Sequence, residues 1–190
     1  MYPGNHYPDT MRHKLSALVL LTLLLVAASS GRHDPAVVED GIAVYFSPDG
    51  GAAPAMVDVI NGAQKTVDIA IFSITQKEIV KAIVAANKRG IKVRILLDSS
   101  QAEGKYSSAT YLANAGVPIW TNLDQTIHHK YAIIDNKFLC TGSFNYSTSA
   151  DLYNAENLLI MTGKPKLTRA YAMNFEGLMK SAVRYKSPNE

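Results

Sequence analysis

The chain has 190 residues, 47% of them hydrophobic, with one cysteine and a net charge of +3. That length supports one globular domain with a sizeable core, and the lone Cys140 excludes an intrachain disulfide framework. The mild positive charge permits nucleic-acid binding without arguing for it, and the ordinary composition excludes a solenoid or a low-complexity chain.

The first 30 residues have the layout of a secretory signal peptide. Met11-Arg12-His13-Lys14 is basic, residues 15–26 are apolar except for Ser16 and Thr22, and Ala27-Ala28-Ser29-Ser30 are small. The apolar run is short for a membrane span, which needs about 20 residues. Residues 1–10 carry no targeting logic of their own, so Met11 competes with Met1 as the start. Val26-Ala27-Ala28 is the expected cleavage site, with Ser30 as the alternative. A periplasmic or secreted protein is expected, and an uncleaved N-terminal anchor is the competing reading.

Residues 31–40 are polar, contain Pro35 and read as a linker. Residues 42–46 form a strand, stopped by the turn signal Ser47-Pro48-Asp49-Gly50-Gly51. Residues 54–63 are helical, with Met56, Val57 and Ile60 on one face. Residues 66–74 alternate as a second strand. Thr75 and Glu78 have the spacing of a capping box for a helix running to Arg89, and Gly90 ends that helix. Residues 91–97 are a third strand, which makes a βαβ unit and a partly parallel sheet. Residues 99–105 read as a loop, 107–115 as a short helix and 117–120 as an edge strand. Residues 145–149 open a helix, 157–160 form a strand, 166–181 a closing helix, and 187–190 a frayed tail. The expected fold is an α/β domain over residues 41–186, a mixed, partly parallel sheet with helices on both faces. Asp98 and Lys105 read as solvated loop polars, and Tyr106 and Trp120 as packing aromatics with a base-stacking alternative.

The densest chemistry lies in residues 128–145, which read H-x-K-x-x-x-x-D and, six residues on, G-S-x-N. Polar groups inside apolar strand sequence are costly unless they meet partners or a ligand. His128 and Lys130, two apart, share one face of a strand, and His129 points to the other. Asp135-Asn136-Lys137 is a turn, and residues 138–141 return as a second strand. The antiparallel return brings Ser143 and Asn145 beside His128 and Lys130. The result is an imidazole, an ammonium, a hydroxyl and a carboxamide in one place, suited to a phosphate. Cys140, inside the second strand, reads as a buried free thiol.

His128, Lys130, Asp135, Gly142, Ser143 and Asn145 resemble the HKD motif of the phospholipase D superfamily. With one motif per chain, the resemblance is to the single-motif, endonuclease-like branch. It implies a phosphodiesterase acting on nucleic acid, most naturally DNA, without a metal or other cofactor. His128 would be the nucleophile, forming a covalent phosphohistidine. A second motif would protonate the leaving oxygen, and since this chain has no second H-x-K, the resemblance implies a homodimer with a shared site. Lys130 and Asn145 would bind the non-bridging oxygens, and Ser143 would assist them or position His128. Glu156 would accept from the second imidazole nitrogen. Asp135 would be structural, and Gly142 would permit a close backbone approach. A lipid phosphodiesterase or phosphatidyl transferase, and a non-catalytic binding module, are the alternatives on the same fold.

Overall fold

Apolar alternation and two amphipathic helices organise the protein around one mixed sheet. The structure is a computed structural model that describes residues 34–104 and 107–187. The signal-peptide layout, Lys105, Tyr106 and the last three residues lie outside these. In chain order the strands and helices are β1 (Val37–Glu39), β2 (Ile42–Ser47), α1 (Ala52–Asn61), β3 (Thr66–Ile71), α2 (Lys77–Lys88), β4 (Lys92–Asp98) and α3 (Ser99–Ala102). They continue with α4 (Ala109–Asn114), β5 (Ile119–Asn122), β6 (Lys130–Ile134), β7 (Phe138–Gly142), α5 (Thr148–Leu152), β8 (Glu156–Thr162), α6 (Pro165–Met179) and β9 (Ala182–Arg184).

The strands form one sheet in the order β1-β2-β8-β7-β6-β3-β4-β5-β9. Only β3-β4 and β4-β5 are parallel, as the βαβ unit through α2 requires. The other pairs are antiparallel, and the seam between the two halves is β3 against β6, with Ile71 opposite Lys130. Helices cover both faces. On one, Met56, Ile60, Ile79 and Ile83 of α1 and α2 pack on Val67, Ile69, Ile71 and Ile95. On the other, Phe175 of α6 packs on Ala70, Leu96, Tyr131 and Ile133. Each buried Ile, Val, Leu, Met or Phe side chain among these stabilises the fold by about 1.5–3 kcal/mol.

Arg94 ties α6 to the sheet. It donates to both oxygens of Asp68, its cross-strand neighbour, at 2.6 and 2.8 Å, and to Glu176 at 2.6 Å. Its guanidinium also lies 4.9 Å from the Phe175 ring centroid. The hydrogen bond from Arg94 holds the Glu176 carboxyl below its usual range.

Several expectations are corrected. Part of the linker is strand β1, hydrogen-bonded to β2. The helix expected from residue 54 starts at Ala52, and the strand expected to reach 74 stops at Ile71. Thr75 does not cap α2, because its hydroxyl accepts from the Thr148 N–H at 3.1 Å. Gln76 caps it instead, accepting from the Ile79 N–H at 2.8 Å, while Glu78 pairs with Lys81. The loop after β4 begins as α3. The strand near Trp120 is internal, since β9 pairs along it. There Trp120 packs beneath Arg184, whose guanidinium lies 4.8 Å from its ring centroid.

Asp98 is the clearest reversal. It is 2% exposed, not a solvated loop residue. One carboxylate oxygen accepts from the N–H and hydroxyl of Ser100, the other from the Ile127 N–H at 2.9 Å.

Candidate active site

The motif strands β6 and β7 form a hairpin whose two ends differ in chemistry. At the closed end Asp135 and Asn136 both have positive φ, 55° and 52°, which Asp and Asn tolerate better than most residues. The Asp135 carboxylate accepts three backbone N–H groups, from Gln64 at 2.9 Å, Lys65 at 2.7 Å and Thr66 at 2.9 Å. It thereby fixes the loop that leads into β3, and it is remote from the groups at the open end.

The open end faces the carboxyl end of β3. Here His128 is exposed and Lys130 half-buried. The Lys130 ammonium lies 3.3 Å from His128 Nδ1 and donates to the His128 carbonyl at 2.8 Å. Phe72, just past β3, touches both. Its ring centroid is 4.7 Å from that of His128 and 5.2 Å from the Lys130 ammonium, a cation–π distance. Burial pushes the Lys130 pKa down, and the nearby Glu156 carboxylate works against that shift.

His129 belongs to the other face. Its ring packs 5.2 Å from Tyr131, which in turn stacks edge-on against Tyr171 of α6. Burial, then the Lys130 and His128 charges, push the His129 pKa down. The Tyr131 hydroxyl donates to Asn174 at 2.8 Å.

Two buried polar residues deliver His128 to its place. Asp98 holds the Ile127 N–H, as described above. Asn122, fully buried, accepts from the N–H groups of Asp124 and Gln125 and donates to Ser181 at 2.9 Å. Asn122 does not stand out in the sequence, and Asp98 reads there as a solvated loop residue. A polar residue ending an apolar strand looks the same whether it meets solvent or a returning loop.

Beyond β7 the chain turns sharply against β8. A Cβ on Gly142 would collide with the Asn157 carbonyl oxygen and lie 2.7 Å from Asn157 Oδ1, so only glycine fits there. Ser143 and Asn157 are interlocked. The Ser143 hydroxyl accepts from the Asn157 N–H at 3.1 Å and from its carboxamide at 3.3 Å, and the Ser143 N–H donates to the Asn157 carbonyl at 3.1 Å. The serine thus sits on β8 rather than on His128. Tyr146 follows, its carbonyl accepting from the N–H groups of Thr75 and Gln76 at 2.8 and 2.9 Å. That pins Asn145 beside the end of β3. The Asn145 carboxamide oxygen is buried without a hydrogen-bond partner among the described residues. Such groups are rare in native folds.

Glu156 is not bonded to His128. Its carboxylate accepts from the Asn154 carboxamide at 3.1 Å, and His128 Nδ1 faces Lys130 instead. The structure therefore brings His128, Lys130 and Phe72 together, with Glu156 close enough to act on the Lys130 charge. Asn145 stands on the adjoining wall, and Ser143 is held back against Asn157. Cys140 is fully buried in β7, and burial raises its thiol to about 12, so it is an inert core residue. Among the described residues, no three His, Cys, Asp or Glu side chains form a group that could hold a metal ion. No helix among them is long and apolar enough to cross a membrane.

Sheet topology and hairpin chemistry together define a phospholipase D-like domain. The chain belongs to the phospholipase D superfamily of phosphodiesterases, residues 56–179 matching the family described as cardiolipin synthase, PLD-like domain. Among solved structures it resembles the phospholipase D family member Nuc from Salmonella typhimurium. The TM-score is 0.73 and the identity 33%, over 77% of this chain and 98% of that one. It is 34% identical over 135 residues to a phospholipase D of Rickettsia prowazekii, covering 70% of this chain. It is also 34% identical over 125 residues to a mitochondrial cardiolipin hydrolase of Chlamydomonas reinhardtii, covering 64% of this chain. The matches span 65% and 55% of the lengths of those two relatives.

Proposed function

We propose that this protein is a phosphodiesterase that hydrolyses nucleic acid, DNA foremost, through a covalent phosphohistidine at a site shared by two copies of the chain. The observation that carries the reading is the exposed imidazole of His128 beside the Lys130 ammonium, at the open end of the motif hairpin. An imidazole and an ammonium within 3.3 Å repel when both are charged. A phosphodiester anion between them relieves that cost.

The steps follow from in-line displacement. Nε2 of His128 forms a bond to phosphorus, and the bond from phosphorus to the leaving oxygen breaks on the opposite side. The leaving oxygen takes a proton from the imidazolium of His128 of the partner subunit. That imidazole then accepts a proton from water, whose oxygen attacks phosphorus and expels His128. Lys130 and the Asn145 carboxamide stabilise charge on the non-bridging oxygens. Nucleophilic Nε2 requires the imidazole proton on Nδ1. In this reading the ring turns away from Lys130 when phosphate binds, and Glu156 accepts from Nδ1. Ser143 positions the wall through Asn157. One imidazole serves one side of phosphorus only, which is why a homodimer is part of the proposal. In this reading the first 30 residues act as a secretory signal peptide and direct the mature protein to the periplasm or outside the cell. The N-terminal sequence of protein recovered from cell fractions tests that placement.

The deciding experiment is cleavage of plasmid DNA by purified protein in excess EDTA, with His128→Ala alongside. Cleavage by wild type alone is expected. Failure of a folded, dimeric wild type to cut DNA would sink the DNA reading, and RNA and phospholipid would be the next substrates. A lipid substrate is the second reading, favoured by the relatives named phospholipase D and cardiolipin hydrolase. Its signature is turnover of cardiolipin vesicles but not DNA. A non-catalytic module would show neither activity, and His128→Ala would change nothing.

A further inference from the structure

A cleft of about 650 Å³ opens beside Asn145. Its volume lies within the range of small-molecule sites, about 300–1,000 Å³. Among the described residues, no charged side chain lines it. Ser73, Thr75, Gln101 and Ser149 contribute hydroxyls and a carboxamide, Phe72 contributes an aromatic ring, and Asn145 contributes its amide. Phe72 is the link to the chemistry, because the same ring that touches His128 and Lys130 forms part of this wall. Asn145, whose buried oxygen has no hydrogen-bond partner among the described residues, belongs to the same wall.

We infer that this cleft is the subsite for the nucleoside next to the scissile phosphate, which deepens and rests on the nucleic-acid reading above. The wall matches that ligand. A sugar and a base carry several hydrogen-bond donors and acceptors and no charge, and a base offers a π-face to an aromatic ring. An acyl chain would meet hydroxyls and amides that it cannot satisfy. A second phosphate would find no cation there among the described residues. The charge of the substrate is thus met at Lys130, and its uncharged part is met here.

Ser149 is exposed on α5 and belongs to no catalytic step, so Ser149→Trp fills the cleft from its rim. The comparison uses full-length protein, a short oligodeoxynucleotide and bis(4-nitrophenyl) phosphate, a diester without sugar or base. The variant is expected to raise KM for the oligonucleotide about tenfold or more, the scale of losing a well-fitted pocket contact. Hydrolysis of the small diester should stay within about twofold. Thymidine 5′-monophosphate should inhibit wild type more strongly than inorganic phosphate does, and that preference should vanish in the variant. If wild type cuts the oligonucleotide and Ser149→Trp cuts it equally well, the subsite is overturned while the nucleic-acid reading stands. If wild type turns over the small diester and cardiolipin vesicles but no oligonucleotide, both are overturned. Should Ser149→Trp lose both activities through misfolding, Gln101→Ala decides. A selective loss on the oligonucleotide supports the subsite, and equal effects on both substrates sink it.

Discussion

The closed and open ends of the β6–β7 hairpin carry parts of one sequence motif and use them in opposite ways. At the closed end, Asp135 satisfies three backbone N–H groups and spends its charge within the fold. At the open end, among the described residues, the Lys130 ammonium hydrogen-bonds only to the His128 carbonyl and ring nitrogen, and the Asn145 oxygen has no partner. The contrast teaches that spacing alone does not reveal a residue's task. What separates an anchor from a reacting group is how completely the protein has already satisfied it.

Substitutions at the two ends should therefore fail differently. His128→Ala has the largest expected effect, a loss of turnover of about 10³-fold or more, since the proposed mechanism gives this residue both the nucleophile and the acid–base role. Its thermal midpoint should stay near wild type; a large fall would show that the open end is structural after all. Asp135→Ala should do the reverse. Losing charge-assisted bonds to three N–H groups, at a positive-φ position, costs about 3 kcal/mol of stability, read from denaturant unfolding. The kcat of the folded fraction should change little.

Lys130 sharpens the contrast through pH. Burial lowers its pKa below the ordinary 10.5, so the ammonium is lost at lower pH than an ordinary lysine would lose it. The alkaline limb of kcat/KM should accordingly lie below 10.5, and Lys130→Arg should move it upward. A limb unmoved by that substitution would assign it to another group. The smallest effect is expected at Ser143→Ala, about 1 kcal/mol of stability from its bonds to Asn157. Loss of activity should not exceed about tenfold. A collapse of kcat on the scale of His128→Ala would mean that Ser143 touches phosphate directly.

Much of this was legible in the sequence because it rests on local pattern. Apolar runs bounded by turn signals placed the strands from β2 to β8, and the two-residue spacing put His128 and Lys130 on one face with His129 on the other. What escaped depends on tertiary return. β1 and β9 have three residues each and carry no buried stripe, so ladder pairing alone defines them. Asp98 and Asn122 are tied by hydrogen bonds to the loop after β5, which returns to them from further along the chain. The α2 cap moved by one residue because Thr75 was claimed by Thr148, seventy-three positions away. Glu156 was expected on His128 and is bonded to its near neighbour Asn154, a contact that the motif spacing does not encode.

The seam between β3 and β6 has a consequence for how the chain acquires its site. It joins residues 66–71 to residues 130–134, and β2 waits for β8, more than a hundred positions further along. Contacts so distant in sequence are slow to form, because loop-closure entropy is lost before they contribute. The β3-α2-β4 unit is local by comparison and should assemble early. On refolding, helical signal should therefore return first, and recovery of turnover should follow the slowest phase, when the seam closes and Phe72 meets His128.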